Sequence, residues 1–350
     1  MISKVVTKAV SYIEKGTGFY TKKGCVRAAT EVGKDLADIQ KVGKNVTADD
    51  IYAIMSREVP HVKRPNIAFG KEELAELLRK SNLNELEQRF IFHELYLNGS
   101  TSKHVKGIFN SGFEGIFVKT DFPKMGIPTI IAHELEHYME FYSNPRTRIR
   151  SFFEKLIPSH RKGKLAYETR MAKILNSPDK DKLIEQEISK RVTNGPRVPS
   201  YGIQMDLTDG LGLKETLMQD KLKKYVSSEE DVLKFLKSDI FVGLSNEKRI
   251  DAYLRGILRH YIHPKINPDC YRSLRKSLKR EINAYQVSDN VMRYGESDTL
   301  TASKVRISLY KRLINIIDKE KLIAIFGKDK APKYRRGLPI PAISKDIAIK

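Results

Sequence analysis

His133-Glu134-Leu135-Glu136-His137 is the stretch on which the reading of this chain turns. Two histidines four positions apart on an α-helix stand about 40° from each other around the axis and about one turn along it. Both imidazoles therefore reach a single zinc ion at about 2.0–2.1 Å. Glu134 follows the first histidine and falls beside that ion rather than on it. There a carboxylate can take a proton from coordinated water. Ile131, Leu135, Tyr138 and Tyr142 gather on the opposite side of the same helix. The stretch thus predicts a ligand-bearing front and a buried apolar back, as a rigid metal site requires. His93-Glu94-Leu95-Tyr96-Leu97 begins in the same way but has a leucine where the second histidine is needed, so it predicts helix only.

Working outward, Pro128-Thr129 suits a first helical turn, where a missing N–H costs nothing, and Asn144-Pro145 closes the helix. Upstream, residues 104–109 and 114–119 read as two strands around the turn Asn110-Ser111-Gly112, followed by a loop over 120–127. Residues 71–98 carry leucines at helical spacing, with a break expected at Asn82, and residues 65–69 read as a short strand. Residues 1–60 predict two or three short amphipathic helices with turns at Gly16, Gly18, Gly24 and Gly33. Thr47-Ala48-Asp49-Asp50 predicts a capped helix start. Downstream, residues 146–330 read as nearly all helical, with irregular stretches at 176–179, 194–212 and 263–269. The last twenty residues hold three prolines and read as an extended arm. The expected organisation is a helical region 1–60, a metal-binding subdomain 61–145, a basic helical insert 146–270, a helical part 271–330 and a basic arm 331–350.

The motif, with a helix and strands ahead of it, resembles the zincin metallopeptidases of the branch whose third ligand is a downstream glutamate. The resemblance covers about residues 70–145 and one later helix. A glycine and third histidine do not follow the motif, which sets aside the other main branch. What the resemblance implies is an α+β, mostly helical fold, with a small antiparallel or mixed sheet packed on the motif helix and large helical additions. It also implies one Zn2+ per chain, peptide hydrolysis with Glu134 as base, and a sheet edge that holds extended substrate. Glu114, Gly115, Ile116, Phe117, Val118 and Lys119 are expected to form that edge. Catalytic zinc takes three protein ligands and a water. Glu140 shares the histidine face but lies roughly 10 Å along the axis from His133, too far to converge. Glu281, in Glu281-Ile282-Asn283-Ala284, resembles the third-ligand helix of such enzymes, where the small residue permits close packing; Glu168 is the alternative. The thermolysin-like pattern places an Asp four residues after the third ligand, and this chain has Tyr285 or Ala172 there. The partner that orients a ligand histidine is therefore unassigned, and Tyr285, His260 and His263 are candidates for the oxyanion donor.

The rest of the composition bounds the setting. The chain has 350 residues, 40% of them hydrophobic, and only two cysteines, Cys25 and Cys270, too few for a disulfide framework. Charged residues interrupt the apolar positions of the first helix, so neither a signal peptide nor a membrane span is expected, and the reading is cytoplasmic. The formal net charge of +21 is densest over residues 146–200, with fourteen Lys and Arg against six Asp and Glu, and over 248–280, with ten against two. Charge of that size suits an acidic partner or nucleic acid, although no recognised nucleic-acid motif accompanies it. Two functions from different classes follow. One is a zinc endopeptidase. The other is a zincin-derived structural or interaction protein of a large assembly, such as a phage particle or nucleoprotein complex, that binds through its basic insert and arm.

Overall fold

The computed structural model describes residues 2–97, 106–121, 126–147, 158–194, 268–294 and 302–326, together with Ile149, Leu254 and Leu258. It divides into two compact units, Met1–Pro196 and Arg197–Lys350. The expected boundaries after residues 60 and 145 both fall inside the first of these.

The first unit opens with three helices, α1 (Ile2–Thr17), α2 (Lys22–Lys41) and α3 (Ala48–Glu58). The expected cap is present: Thr47 and Asp50 exchange side-chain and backbone hydrogen bonds in a capping box at the start of α3. Gly24 and Gly33, expected in turns, instead lie within α2. At Gly24 the reason is steric. A Cβ there would run into the carboxylate of Glu14, which is buried and accepts from Thr21 N at 2.8 Å and Thr21 Oγ1 at 2.7 Å. Arg27 completes the pairing. A glycine chosen for close approach reads in sequence like one chosen for a turn.

Strand β1 (Asn66–Phe69) leads into α4 (Gly70–Lys80) and α5 (Glu85–Phe92), with the expected break at residues 81–84. Asn84 caps α5 through a capping box with Glu87, and His93–Leu97 continues α5 as a single π-helical turn. Strands β2 (Gly107–Asn110) and β3 (Gly115–Val118) follow, then α6 (Ile127–Tyr142), which carries the motif. The sheet order is β1-β3-β2. β3 runs parallel to β1, pairing Ala68 with Phe117, and antiparallel to β2, pairing Phe109 with Ile116. Every residue of β3 is buried. Helices α7 (Pro158–Leu175) and α8 (Lys180–Asn194) turn back on each other and place Met171, Ile184 and Ile188 against Leu86 of α5. This is a mostly helical α+β fold with one small mixed sheet.

In the second unit α9 (Pro268–Met292) packs on α10 (Ala302–Phe326) through Leu278, Ala284, Val287, Leu313 and Ile317, all buried, with Arg275 Nε 2.6 Å from Asp318 Oδ1. Pro268 and Asp269, expected to be irregular, open α9, a position where proline is tolerated. Most of the basic insert, the irregular stretch expected at 194–212 apart from Asn194, which ends α8, and the arm 331–350 lie outside the described residues. Among the described residues no helix is long and apolar enough to cross a membrane.

Candidate metal centre

Helix α6 is built as its sequence suggested. Pro128 stands in its first turn, and Ser143 ends it by donating its N–H to Met139 O. Ile131, Leu135 and Tyr138 are fully buried on the back. Tyr138 donates its hydroxyl to Lys63 O at 2.7 Å, and burial pushes its pKa well above the ordinary tyrosine value. Phe109 of β2 packs its ring against Tyr138, Phe141 and Tyr142, with centroids 5.6, 5.8 and 6.1 Å away. This aromatic seam fixes α6 on the sheet.

On the front, the rings of His133 and His137 stand 5.0 Å apart and nearly perpendicular, at 83°. Glu134 is 9% exposed, and its Oε2 accepts the backbone N–H of Phe109 at 2.7 Å. That bond depends on strand phase. Lys119 N donates to Lys106 O at 2.8 Å, so Lys106, Ile108 and Asn110 face β3, while Gly107 and Phe109 turn their backbone groups to the open side. The side chain of Glu134 can approach that side because Gly107 has no Cβ. One there would strike Ile130 Cγ2 and stand 3.2 Å from Phe117 O and 3.3 Å from Glu134 Cγ.

This corrects the expected substrate edge. Glu114 sits in the turn at φ 50°. Gly115, Ile116, Phe117 and Val118 form the central strand, hydrogen-bonded on both sides. Lys119 is buried, with Nζ 5.2 Å from the centroid of the Tyr96 ring, and burial lowers its pKa. Among the described residues, the edge strand beside Glu134 is β2. The uninterrupted apolar run Ile116-Phe117-Val118 was the available signal, since such a run marks a strand covered on all sides.

His133, His137 and Glu281 form a group in which one ligand atom from each lies within 4.8 Å of the others. Two imidazoles and a carboxylate are a donor set suited to Zn2+. Glu281 and Tyr285 share a face of α9, and Arg306 Nη1 donates to Tyr285 Oη at 3.4 Å. Glu168, the alternative, is exposed on α7 and is not a member of the group. Glu140 pairs with Lys22 at 3.0 Å. His260 and His263 lie outside the described residues.

Sequence reasoning passed over Gly107, Phe109 and Glu136. Nothing in the sequence marks a backbone N–H as a partner for Glu134, and Glu136 reads as helix scaffold. Yet Glu136 is fully buried, with Oε2 3.5 Å from His137 Nδ1. Comparison of the chain with protein families, with curated proteins and with solved structures returns no match.

Proposed function

We propose that this chain is a zinc-dependent peptidase whose centre is held by His133, His137 and Glu281, with Glu134 as general base. The observation that carries the reading is the bond from Phe109 N to Glu134 Oε2, 2.7 Å long. It ties a buried carboxylate, next in sequence to His133, to β2, which is an edge strand among the described residues. Structural metal sites have no use for such a carboxylate, whereas hydrolysis does.

Each residue then has a task. His133 and His137 present their imidazoles from one face of α6, and Glu281 supplies the anionic ligand. Zn2+ so held would act as a Lewis acid, making coordinated water easier to deprotonate and polarising a carbonyl. Glu134 takes that proton on Oε1 while Oε2 stays on the Phe109 N–H, and returns it to the leaving amine. The remaining outward backbone groups of β2, the N–H and C=O of Gly107 and the C=O of Phe109, would bind an extended peptide as an added strand. Tyr138, Phe141 and Tyr142 hold the Phe109 ring, and through it the edge, against α6.

Metal analysis of the purified chain should find about one zinc, and His133→Ala should lose it. Glu134→Gln should keep the zinc and the fold while lowering cleavage of a casein-like protein by about 10²–10⁴-fold. A wild-type protein that binds no zinc, or a Glu134→Gln variant as active as wild type, would falsify the reading.

A further inference from the structure

The motif helix buries three carboxylates, and the structure assigns each a different neighbour. Glu134 meets the edge strand at Phe109 N. Glu140 meets Lys22 of α2, Nζ to Oε1, at 3.0 Å. Glu136 faces the second histidine, with Oε2 3.5 Å from His137 Nδ1 and no exposed surface. The flank of α6 that carries Glu136 and Glu140 is turned to α2: burial and the carboxylates of Glu136, Glu140 and Glu14 push the Cys25 thiol far above its ordinary value. A carboxylate is an expensive occupant for an enclosed position, and Leu135 next to it shows that the helix accepts leucine in full burial. An imidazole that gives one nitrogen to a metal carries its proton on the other, and the acceptor of that proton fixes both the tautomer and the ring plane.

We propose that Glu136 is the positioning residue of His137: it holds the proton on Nδ1 and so directs Nε2 to the ion. The inference rests on the zinc centre proposed above. It supplies within the motif the orienting partner that the sequence lacks at Tyr285. Glu136 touches no substrate, and its effect reaches the reaction only through the geometry of His137.

Zinc affinity, measured by competition with a chromophoric chelator on the full chain, tests it. Glu136→Gln and Glu136→Leu should each weaken zinc binding by about 10–100-fold. Glu136→Leu should keep or raise the urea midpoint of the metal-free protein, because an apolar side chain replaces a buried charge. A merely structural glutamate would lower stability and leave the affinity of the folded fraction unchanged. Glu140→Gln, which breaks the Lys22 pair, should change zinc affinity by less than about threefold. In the zinc-loaded wild type, 15N NMR of the histidines should find His137 protonated at Nδ1, with that resonance moved in Glu136→Gln. If wild type binds zinc, His137→Ala loses it and both Glu136 variants bind within about threefold of wild type, Glu136 has no positioning role while the zinc centre stands. If the wild type binds no zinc, both fall together.

Discussion

Gly107→Ala is the sharpest probe of how the edge strand meets the motif helix. The added methyl would collide with Ile130 Cγ2 and stand 3.2 Å from Phe117 O and 3.3 Å from Glu134 Cγ. Overpacking by one methyl costs about 1–3 kcal/mol. If β2 moves out to relieve it, the bond from Phe109 N to Glu134 Oε2 lengthens from 2.7 Å and is lost. A hydrogen bond to a charged acceptor contributes about 1.5–3 kcal/mol. Restricting the unfolded chain returns about 0.4–1 kcal/mol. The net expectation is a loss of about 2–5 kcal/mol, a shift of roughly 1–2.5 M in a urea midpoint at an m-value near 2 kcal/mol/M. Because the histidines stay on α6, zinc content should not change. Displacing the base by about 1 Å should lower the cleavage rate by about 10²-fold. Ile130→Ala removes the atom that is struck, so the double variant should lose less than the sum of the single losses, with a coupling of about 1 kcal/mol or more. A Gly107→Ala protein with wild-type midpoint and wild-type rate would refute the argument that this glycine lets the helix reach the strand.

Three further outcomes follow from the frame around the centre. Thr47→Ala removes the capping box of α3 and should lower unfolding free energy by about 1 kcal/mol without altering zinc content, read by urea titration. Tyr20 is buried and its hydroxyl is pushed up to about 12, chiefly by burial and then by Glu14. A raised folded-state value means that the stability it contributes is complete below pH 10 and lost as pH rises through about 12. Tyr20→Phe should therefore lose stability less steeply than wild type over that window, followed by thermal melts at stepped pH. Glu281→Ala should abolish tight zinc binding, whereas Glu168→Ala should leave it unchanged, as measured by metal content after dialysis.

What the sequence made legible was periodic or punctuated. The spacing of His133 and His137, the apolar back at Ile131, Leu135 and Tyr138, the cap at Thr47 and the break before Asn84 are local signals carried by neighbouring side chains. What stayed hidden depended on distant partners. Gly24 was read as a turn because its constraint is a carboxylate ten residues earlier, at Glu14. The strand Gly115–Val118 was read as an edge because pairing order is set by β1, nearly fifty residues upstream. Glu136 was read as scaffold because only burial against α2 distinguishes it from an exposed helical glutamate. Phe109 was invisible as a site residue because its contribution is a backbone N–H, which every residue but proline possesses.

The packing of α2 on α6 also has a consequence in time. A ribosome completes Lys22–Lys41 long before it reaches Ile127–Tyr142, so the part of α2 that packs on α6 waits for its partner through most of a hundred residues of synthesis. The hydrogen bond from Tyr20 N to Ser143 O, 3.0 Å long, closes only after that partner has emerged. Until then the nascent chain displays an apolar helical stripe flanked by lysines, a surface suited to holding chaperones. Maturation of the motif helix is thus bound to a helix made well before it, and slowing translation between residues 60 and 126 should lengthen the period in which the nascent protein is open to aggregation or proteolysis.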